Sequence, residues 1–208
     1  MNIINKPFVY KQYGVYCTFI VINIIVFAAQ QFLGDALSIH LSIVPALILR
    51  GELWTFVTYM FAHGSVSHIL FNMIALFVFG KPLEEYMGSI EFLVYYLLTG
   101  IFAGIFSFGA YMLTGNLGCQ LLGASGALFA VELAYAVFFP NAVIYFWGIL
   151  PLRAPLMVMF FTSLELFFSV TGLDAGVAHF THLAGFLFGW LYFLVRFRIN
   201  PWKRLFSK

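Results

Sequence analysis

The sequence predicts an all-α polytopic membrane protein, a bundle of six transmembrane helices. Of its 208 residues, 63% are hydrophobic and only 9% are charged, fewer charges than a soluble domain with a solvated surface carries. A transmembrane helix needs about 20 predominantly apolar residues. Residues 92–131 contain no charged side chain, so this run is long enough for two such helices and a turn.

The first apolar segment follows a short stretch that contains Lys6 and Lys11. It runs from Val15 to about Leu33, which is longer than the hydrophobic region of a typical cleavable signal peptide. Gln30 and its neighbour also stand where small residues should precede a cleavage site. We therefore expect a retained first span, with a cleaved signal peptide as the alternative.

Five further apolar segments follow, and most connections between them are short. The longest connection, residues 34–55, mixes charged side chains and Trp54 with apolar residues, so we expect it to lie in the membrane interface. We expect a single membrane domain, residues 1–208. The predicted spans are about 15–33, 56–80, 92–113, 123–139, 155–171 and 177–195.

The distribution of basic residues predicts the orientation of the bundle. With a cytoplasmic N-terminus, only Arg50 of the ten lysines and arginines lies outside, which satisfies the positive-inside rule. Both termini are then cytoplasmic, and spans two, four and six begin in the outer leaflet. The lack of an appended domain favours a bacterial inner membrane. The small net charge of +2, without a basic stripe, argues against nucleic acid as a partner.

Polar side chains inside spans are costly and need a reason. Spans two, four and six run from the outer leaflet inward, and we count residues from the charged residue or proline at the inner end of each. The polar groups then lie about 20 to 23 Å above the inner edge of a hydrocarbon core about 30 Å thick. Three spans therefore place polar groups at one level. These groups belong to His68, Asn72, Ser125 and His182.

Ser125 has the surroundings of a nucleophile. It follows Gly123 and precedes Gly126, so a helix beginning there exposes free backbone N–H groups beside the hydroxyl. Acyl transfer needs a hydroxyl, a base and donors that stabilise an oxyanion. Gly185 and Gly189 form a G-x-x-x-G motif on span six that permits close helix packing. Such packing would bring His182 within reach of the serine.

Three motifs together resemble the rhomboid family of intramembrane serine proteases, and the match spans nearly the whole chain. The motifs are Gly123-Ala-Ser125-Gly126, His182-x-x-Gly185-x-x-x-Gly189 and His63-x4-His68-x3-Asn72. The resemblance implies a six-helix rhomboid-like bundle that cleaves transmembrane segments near the outer leaflet. It also implies a dyad without a third acid, with Ser125 as nucleophile and His182 as general base. The Ser125 backbone N–H, His68 and Asn72 would form the oxyanion site.

The supporting residues implied by the resemblance are Gly123, Gly126, Phe129, Gly185 and Gly189. Two positions depart from the family pattern. Thr55 follows Trp54 where an arginine is usual, so we expect only Trp54 to anchor the interface. Phe129 stands where tyrosine is frequent, and it can still pack against the His182 ring. We expect activity to survive both changes.

Two other functions stay open from the sequence. One is a catalytically silent rhomboid-like protein that binds transmembrane helices, although both dyad residues are present here. The other is a small transporter, which the clustering of polar residues near one surface disfavours.

We expect no cofactor and no metal. His63 and His68 would point about 140° apart if both lay on one helix, which disfavours zinc. His63 and His179 are expected to be mainly outer-face residues, with support of the site as the alternative. Glu132 and Glu165 could each be a buried hydrogen-bonded acid or tune the gate; we favour a structural role for Glu132 and leave Glu165, on span five, open.

Overall fold

The computed structural model describes residues 5–146, 149–172 and 179–206. These residues form a helical membrane bundle with one β-hairpin, in agreement with the all-α polytopic prediction. Its helices are α1 Val15–Leu33, α2 Asp35–Leu41, α3 Pro45–Ile48, α4 Thr55–Thr58, α5 Val66–Ala75, α6 Lys81–Met87, α7 Ser89–Thr114, α8 Ser125–Phe138, α9 Ala154–Thr171, α10 His179–Tyr192 and α11 Pro201–Leu205. Strands β1 Val143–Phe146 and β2 Leu150–Arg153 pair antiparallel.

Within the described residues, five helical segments are long and apolar enough to cross a membrane. Two of them contain π-helical turns: α5 continues through Leu76–Gly80 into α6, and α10 continues through Phe193–Phe197. The sixth apolar helix, α8, has 14 residues and is therefore about 21 Å long, which is shorter than the hydrocarbon core. The predicted fourth span thus corresponds to a helix that is short for a membrane crossing, and the count of six crossings stays a prediction.

The second span differs from its prediction. A short helix and a 3-10 turn occupy residues 55–61, and α5 begins only at Val66, about ten residues later than predicted. The reason is local, because Ala62 is extended and the Ser65 hydroxyl caps α5 by accepting the His68 backbone N–H at 3.1 Å. The first two residues of predicted span six, 177 and 178, lie outside the described residues.

One end of the bundle is fixed by buried carboxylates. Glu84 accepts the backbone N–H groups of Val15 and Tyr16 at 2.9 and 2.8 Å, so α6 caps the start of α1. Glu91, in the first turn of α7, accepts two hydrogen bonds from Arg196, at 2.9 and 2.6 Å. These bonds tie the start of α7 to the end of the α10 segment.

Candidate active site

Ser125 and His182 meet between two neighbouring helices. Ser125 is the first residue of α8, and His182 lies in the first turn of α10. The Ser125 Oγ is 2.7 Å from the His182 Nε2, a hydrogen-bonding distance. A hydroxyl and an imidazole in this arrangement can pass a proton between them.

Glycines explain how these helices approach so closely. A methyl group built at Gly185 would lie 1.8 Å from the Gly126 carbonyl oxygen, so the two backbones touch there. One turn further, a methyl group at Gly189 would lie 3.0 Å from the Ala130 Cβ. The contact explains why small residues recur along both helices.

The turn before Ser125 depends on Gly123. Its φ of +125° lies in the region that favours glycine, and its N–H donates to the Tyr59 carbonyl at 2.9 Å. A methyl group there would lie 2.7 Å from the His68 ring and 3.7 Å from the Ser125 Oγ. The His68 imidazole therefore sits beside the turn that presents Ser125. As the first residue of α8, Ser125 also has a backbone N–H without an intrahelical acceptor.

Asn72 is hydrogen-bonded to His63, and this histidine lies outside the membrane-spanning segments. The Asn72 Nδ2 donates to the His63 Nε2 at 2.8 Å, and the His63 backbone N–H donates to the Gln30 Oε1 at 3.0 Å. Burial and the nearby His68 ring lower the pKa of His63 to about 3, so His63 is neutral at physiological pH. A neutral Nε2 can accept from the amide, which commits one of the two N–H donors of Asn72.

Because His63 lies in the loop before α5, its ring is not turned away from His68. The two ring centroids are 4.9 Å apart. The argument against a shared site assumed that both histidines lie on one helix, and this assumption was wrong.

Phe129 packs against the candidate base. Its ring is stacked on His182, with centroids 4.6 Å apart and an angle of 8° between the planes. The stack covers one face of the imidazole and restricts its rotation. The phenylalanine therefore contributes packing without a hydroxyl.

Ser125 lies well below the end of its neighbour α7. A methyl group at Gly126 would be 3.4 Å from the Ala103 Cβ. From that level α7 continues to Thr114, a rise of about 16 Å at about 1.5 Å per residue. At the other end of α8, Phe138 packs on Tyr86 and Phe193, with ring centroids 4.6 and 5.1 Å away. Compared with a full membrane crossing, α8 is therefore short at the end that carries Ser125.

A cavity of about 600 Å³ opens between α5, α8, α9 and the hairpin. It does not include Ser125 or His182 and lies further along α8. Its lining includes Phe71, Ile74, Glu132, Tyr135, Ile144 and Phe161.

A family model described as the Rhomboid domain matches residues 50–199, which is more than half of the chain. The chain belongs to the rhomboid family. The matched range contains Ser125 and His182, and also the His63, His68 and Asn72 group. The rhomboid assignment, together with the apolar helices, makes this a multi-pass membrane protein.

Several curated relatives of this rhomboid chain are named as proteases. It is 37% identical over 91 residues to the rhomboid protease GluP of Bacillus subtilis, covering 43% of this chain and 18% of that protein. It is 28% identical over 131 residues to the rhomboid protease GlpG of Photorhabdus laumondii, covering 62% and 44%. The match to GlpG of Haemophilus influenzae is 26% over 185 residues, covering 88% and 91%. The chain spans less than half the length of the first two.

Glu165 and His179 join the site of this rhomboid chain. The sequence left support of the site as an alternative for His179 and left the role of Glu165 open. The His179 Nδ1 is 2.6 Å from the Glu165 Oε2, and the His182 Nδ1 is 3.0 Å from the same oxygen. The spacing of the two histidines, three residues apart, was the available signal that they share a helix face. The contact from α9 had no signal in the sequence.

These three side chains also offer the donor set of a metal site. Their ligand atoms all lie within 4.8 Å of one another. Two imidazoles and a carboxylate are ligands that zinc accepts. The expectation that the protein binds no metal stays a prediction.

Proposed function

We propose that the protein is an intramembrane serine endopeptidase that cleaves transmembrane segments of membrane proteins with a Ser125–His182 pair. The observation that carries the proposal is the 2.7 Å distance between the Ser125 Oγ and the His182 Nε2. Support also comes from the family, several of whose members are named as rhomboid proteases.

In the proposed reaction, the Ser125 Oγ attacks the scissile carbonyl carbon while the His182 Nε2 takes the hydroxyl proton. The carbonyl oxygen becomes an oxyanion, which the Ser125 backbone N–H and the side chains of His68 and Asn72 stabilise. His182 then gives its proton to the leaving amine, and an acyl-enzyme remains on Ser125. Water, activated by the same imidazole, hydrolyses the ester and restores the hydroxyl.

The proposed substrate is a transmembrane helix that enters from the lipid. The cavity between α5 and α9 is a route by which such a helix could approach α8 sideways. Backbone groups in a helix are bonded to one another, so the segment must unwind locally before Ser125 can attack it. Small or helix-breaking residues near the cleaved bond lower the cost of this unwinding.

The proposed setting is a cell membrane, with both termini in the cytoplasm and the serine near the outer leaflet. The proposal therefore predicts cleavage close to the outer end of the substrate helix. The bacterial inner membrane is the proposed location.

Co-expression with a panel of single-span reporter proteins tests the function. We expect the parent protein to cleave at least one reporter, and Ser125→Ala and His182→Ala to cleave none. Ser67→Ala is the matched control, because Ser67 is an exposed serine in the first turn of α5. A Ser125→Ala protein that cleaves at the parent rate would contradict the assignment.

A fluorophosphonate probe gives a second measurement that needs no substrate. We expect it to label the parent and Ser67→Ala, and neither of the other two variants. Binding of reporter helices without cleavage or labelling would show a silent helix-binding protein instead.

A further inference from the structure

We propose that Glu165, on α9, is a positioning residue for His182, so that Ser125, His182 and Glu165 form a triad. This inference rests on the proposed function and deepens it. The rhomboid resemblance implied a dyad without a third acid, whereas a carboxylate here lies within 3.0 Å of the base.

The two nitrogens of His182 face different partners. The Nε2 is 2.7 Å from the Ser125 Oγ, and the Nδ1 is 3.0 Å from the Glu165 Oε2. Serine, imidazole and carboxylate are therefore in the order that a triad requires. Both side chains are largely sheltered, with exposed fractions of 11% for His182 and 15% for Glu165.

The His182 Nδ1 needs an acceptor. It is buried, and among the described residues no atom forms an aligned hydrogen bond with it. Buried polar atoms are rarely left without a partner. The Glu165 contact has the right distance but not the right angle in this structure, and catalytic hydrogen bonds often align only when substrate is bound.

His179 holds the carboxyl group in place. Its Nδ1 forms a 2.6 Å hydrogen bond with the Glu165 Oε2, and its side chain is only 7% exposed. A carboxylate has two oxygens and about four acceptor positions, so it can serve both imidazoles at once. His179 lies one turn before His182 on the same helix, and it therefore anchors Glu165 beside the base.

The chemistry of the base explains what this carboxylate does. For the Nε2 to accept the serine proton, the imidazole proton must be on Nδ1, and a carboxylate acceptor favours that tautomer. Once the proton moves, His182 becomes a cation inside a membrane span, where an unpaired charge is costly. Glu165 supplies the opposite charge at 3.0 Å.

Comparison of Glu165→Gln with Glu52→Gln tests the triad. The control removes a similar pair outside the site, because the Glu52 carboxylate is 3.0 Å from the His40 Nδ1. We expect kcat of Glu165→Gln to fall about 10²- to 10⁴-fold, with KM within threefold, because the carboxylate acts in the chemical step. We expect Glu52→Gln to keep the parent kcat. A loss below tenfold in a folded Glu165→Gln protein would overturn the triad.

The conservative variant separates positioning from structure. Glu165→Asp keeps the charge, so we expect its kcat to be at least tenfold above that of Glu165→Gln. Equal rates for the two variants would overturn the proposal. If the parent and Glu52→Gln cleave no reporter, the proposed protease function fails; if they cleave and Glu165→Gln does so equally fast, only the triad fails.

Two measurements on the parent protein do not depend on the folding of a variant. Proton NMR should show a strongly downfield His182 Nδ1–H that is absent from His182→Ala, and its absence from the parent would overturn the proposal. Treatment with a chelator should leave cleavage unchanged. Loss on chelation and recovery with zinc would overturn it too, because the same three side chains would then be metal ligands.

Discussion

At the scale of single residues, the proposed oxyanion group depends on a histidine that does not carry charge. Because His63 stays neutral, its Nε2 can accept the Asn72 amide. His63 is in turn bonded through its backbone to Gln30 of α1, which is itself buried. The orientation of Asn72 is therefore set by a chain of hydrogen bonds that begins in the first helix.

Asn72→Ala tests the oxyanion role. We expect kcat to fall by about 10² to 10³, with little change in KM, because an oxyanion donor acts mainly in the transition state. Single-turnover cleavage of a reporter helix measures this. Asn116→Ala, at an exposed asparagine in the loop before α8, is the control and should keep the parent rate. An Asn72→Ala rate within threefold of the parent would argue against the role.

The sequence could indicate part of this site. His68 and Asn72 are four residues apart, and Ser125 stands between glycines, so local spacing alone marked them as candidates. The Glu165 contact could not be predicted, because it depends on how α9 is rotated about its axis relative to α10. Packing between helices that are distant in sequence determines that rotation.

At the scale of elements, the contact between α8 and α10 determines whether the site exists. The G-x-x-x-G spacing predicted close packing, and Gly185 touches the backbone of Gly126. This contact is three residues from His182 and one from Ser125. A shift of either helix would therefore change the distance between hydroxyl and imidazole directly.

Gly185→Ala tests this contact. The added methyl group has no space, so we expect a loss of about 1 to 3 kcal/mol in stability together with loss of cleavage. Gly109→Ala on α7 is the matched control, because nothing lies within 4 Å of a methyl group there. Thermal unfolding in detergent measures both variants. Equal midpoints would contradict the close contact.

The helices were predictable from the length of the apolar segments, but the positions of some helix ends were not. The second span was predicted to begin too early because residues 55–61 are as apolar as a transmembrane segment. The helix cap at Ser65 is a local signal, which hydropathy averaged over a window of residues does not show. The pairing of Val143–Phe146 with Leu150–Arg153 was not predicted, because the sequence between these strands has no Asn-Gly or Asp-Gly pair, the strongest local signal of a hairpin.

At the scale of the whole molecule, the two ends of the bundle differ in chemistry. The Glu84 and Glu91 bonds fasten the starts of α1 and α7 at one end. The opposite end holds Ser125, His182 and the other buried histidines. The distribution of lysine and arginine predicts that the first of these ends faces the cytoplasm.

Cysteine labelling tests this orientation. In a protein whose Cys17 and Cys119 are replaced by alanine, we expect a membrane-impermeant maleimide to label Arg50→Cys on intact cells. Lys203→Cys should be labelled only after permeabilisation. Both positions are exposed, so accessibility depends on the side of the membrane. The reverse pattern would mean that the bundle has the opposite orientation, and the cysteine-free protein is the control.

The depth of Ser125 limits which proteins can reach its hydroxyl. The Ser125 hydroxyl lies about 16 Å below the last turn of α7, so a folded soluble protein that only contacts the membrane surface does not reach it. Such a protein would have to unfold locally and insert its chain into the bundle before the proposed cleavage could occur. Under the proposed protease function, the recess left by the short helix α8 would exclude folded soluble proteins and leave membrane-embedded chains as the accessible substrates.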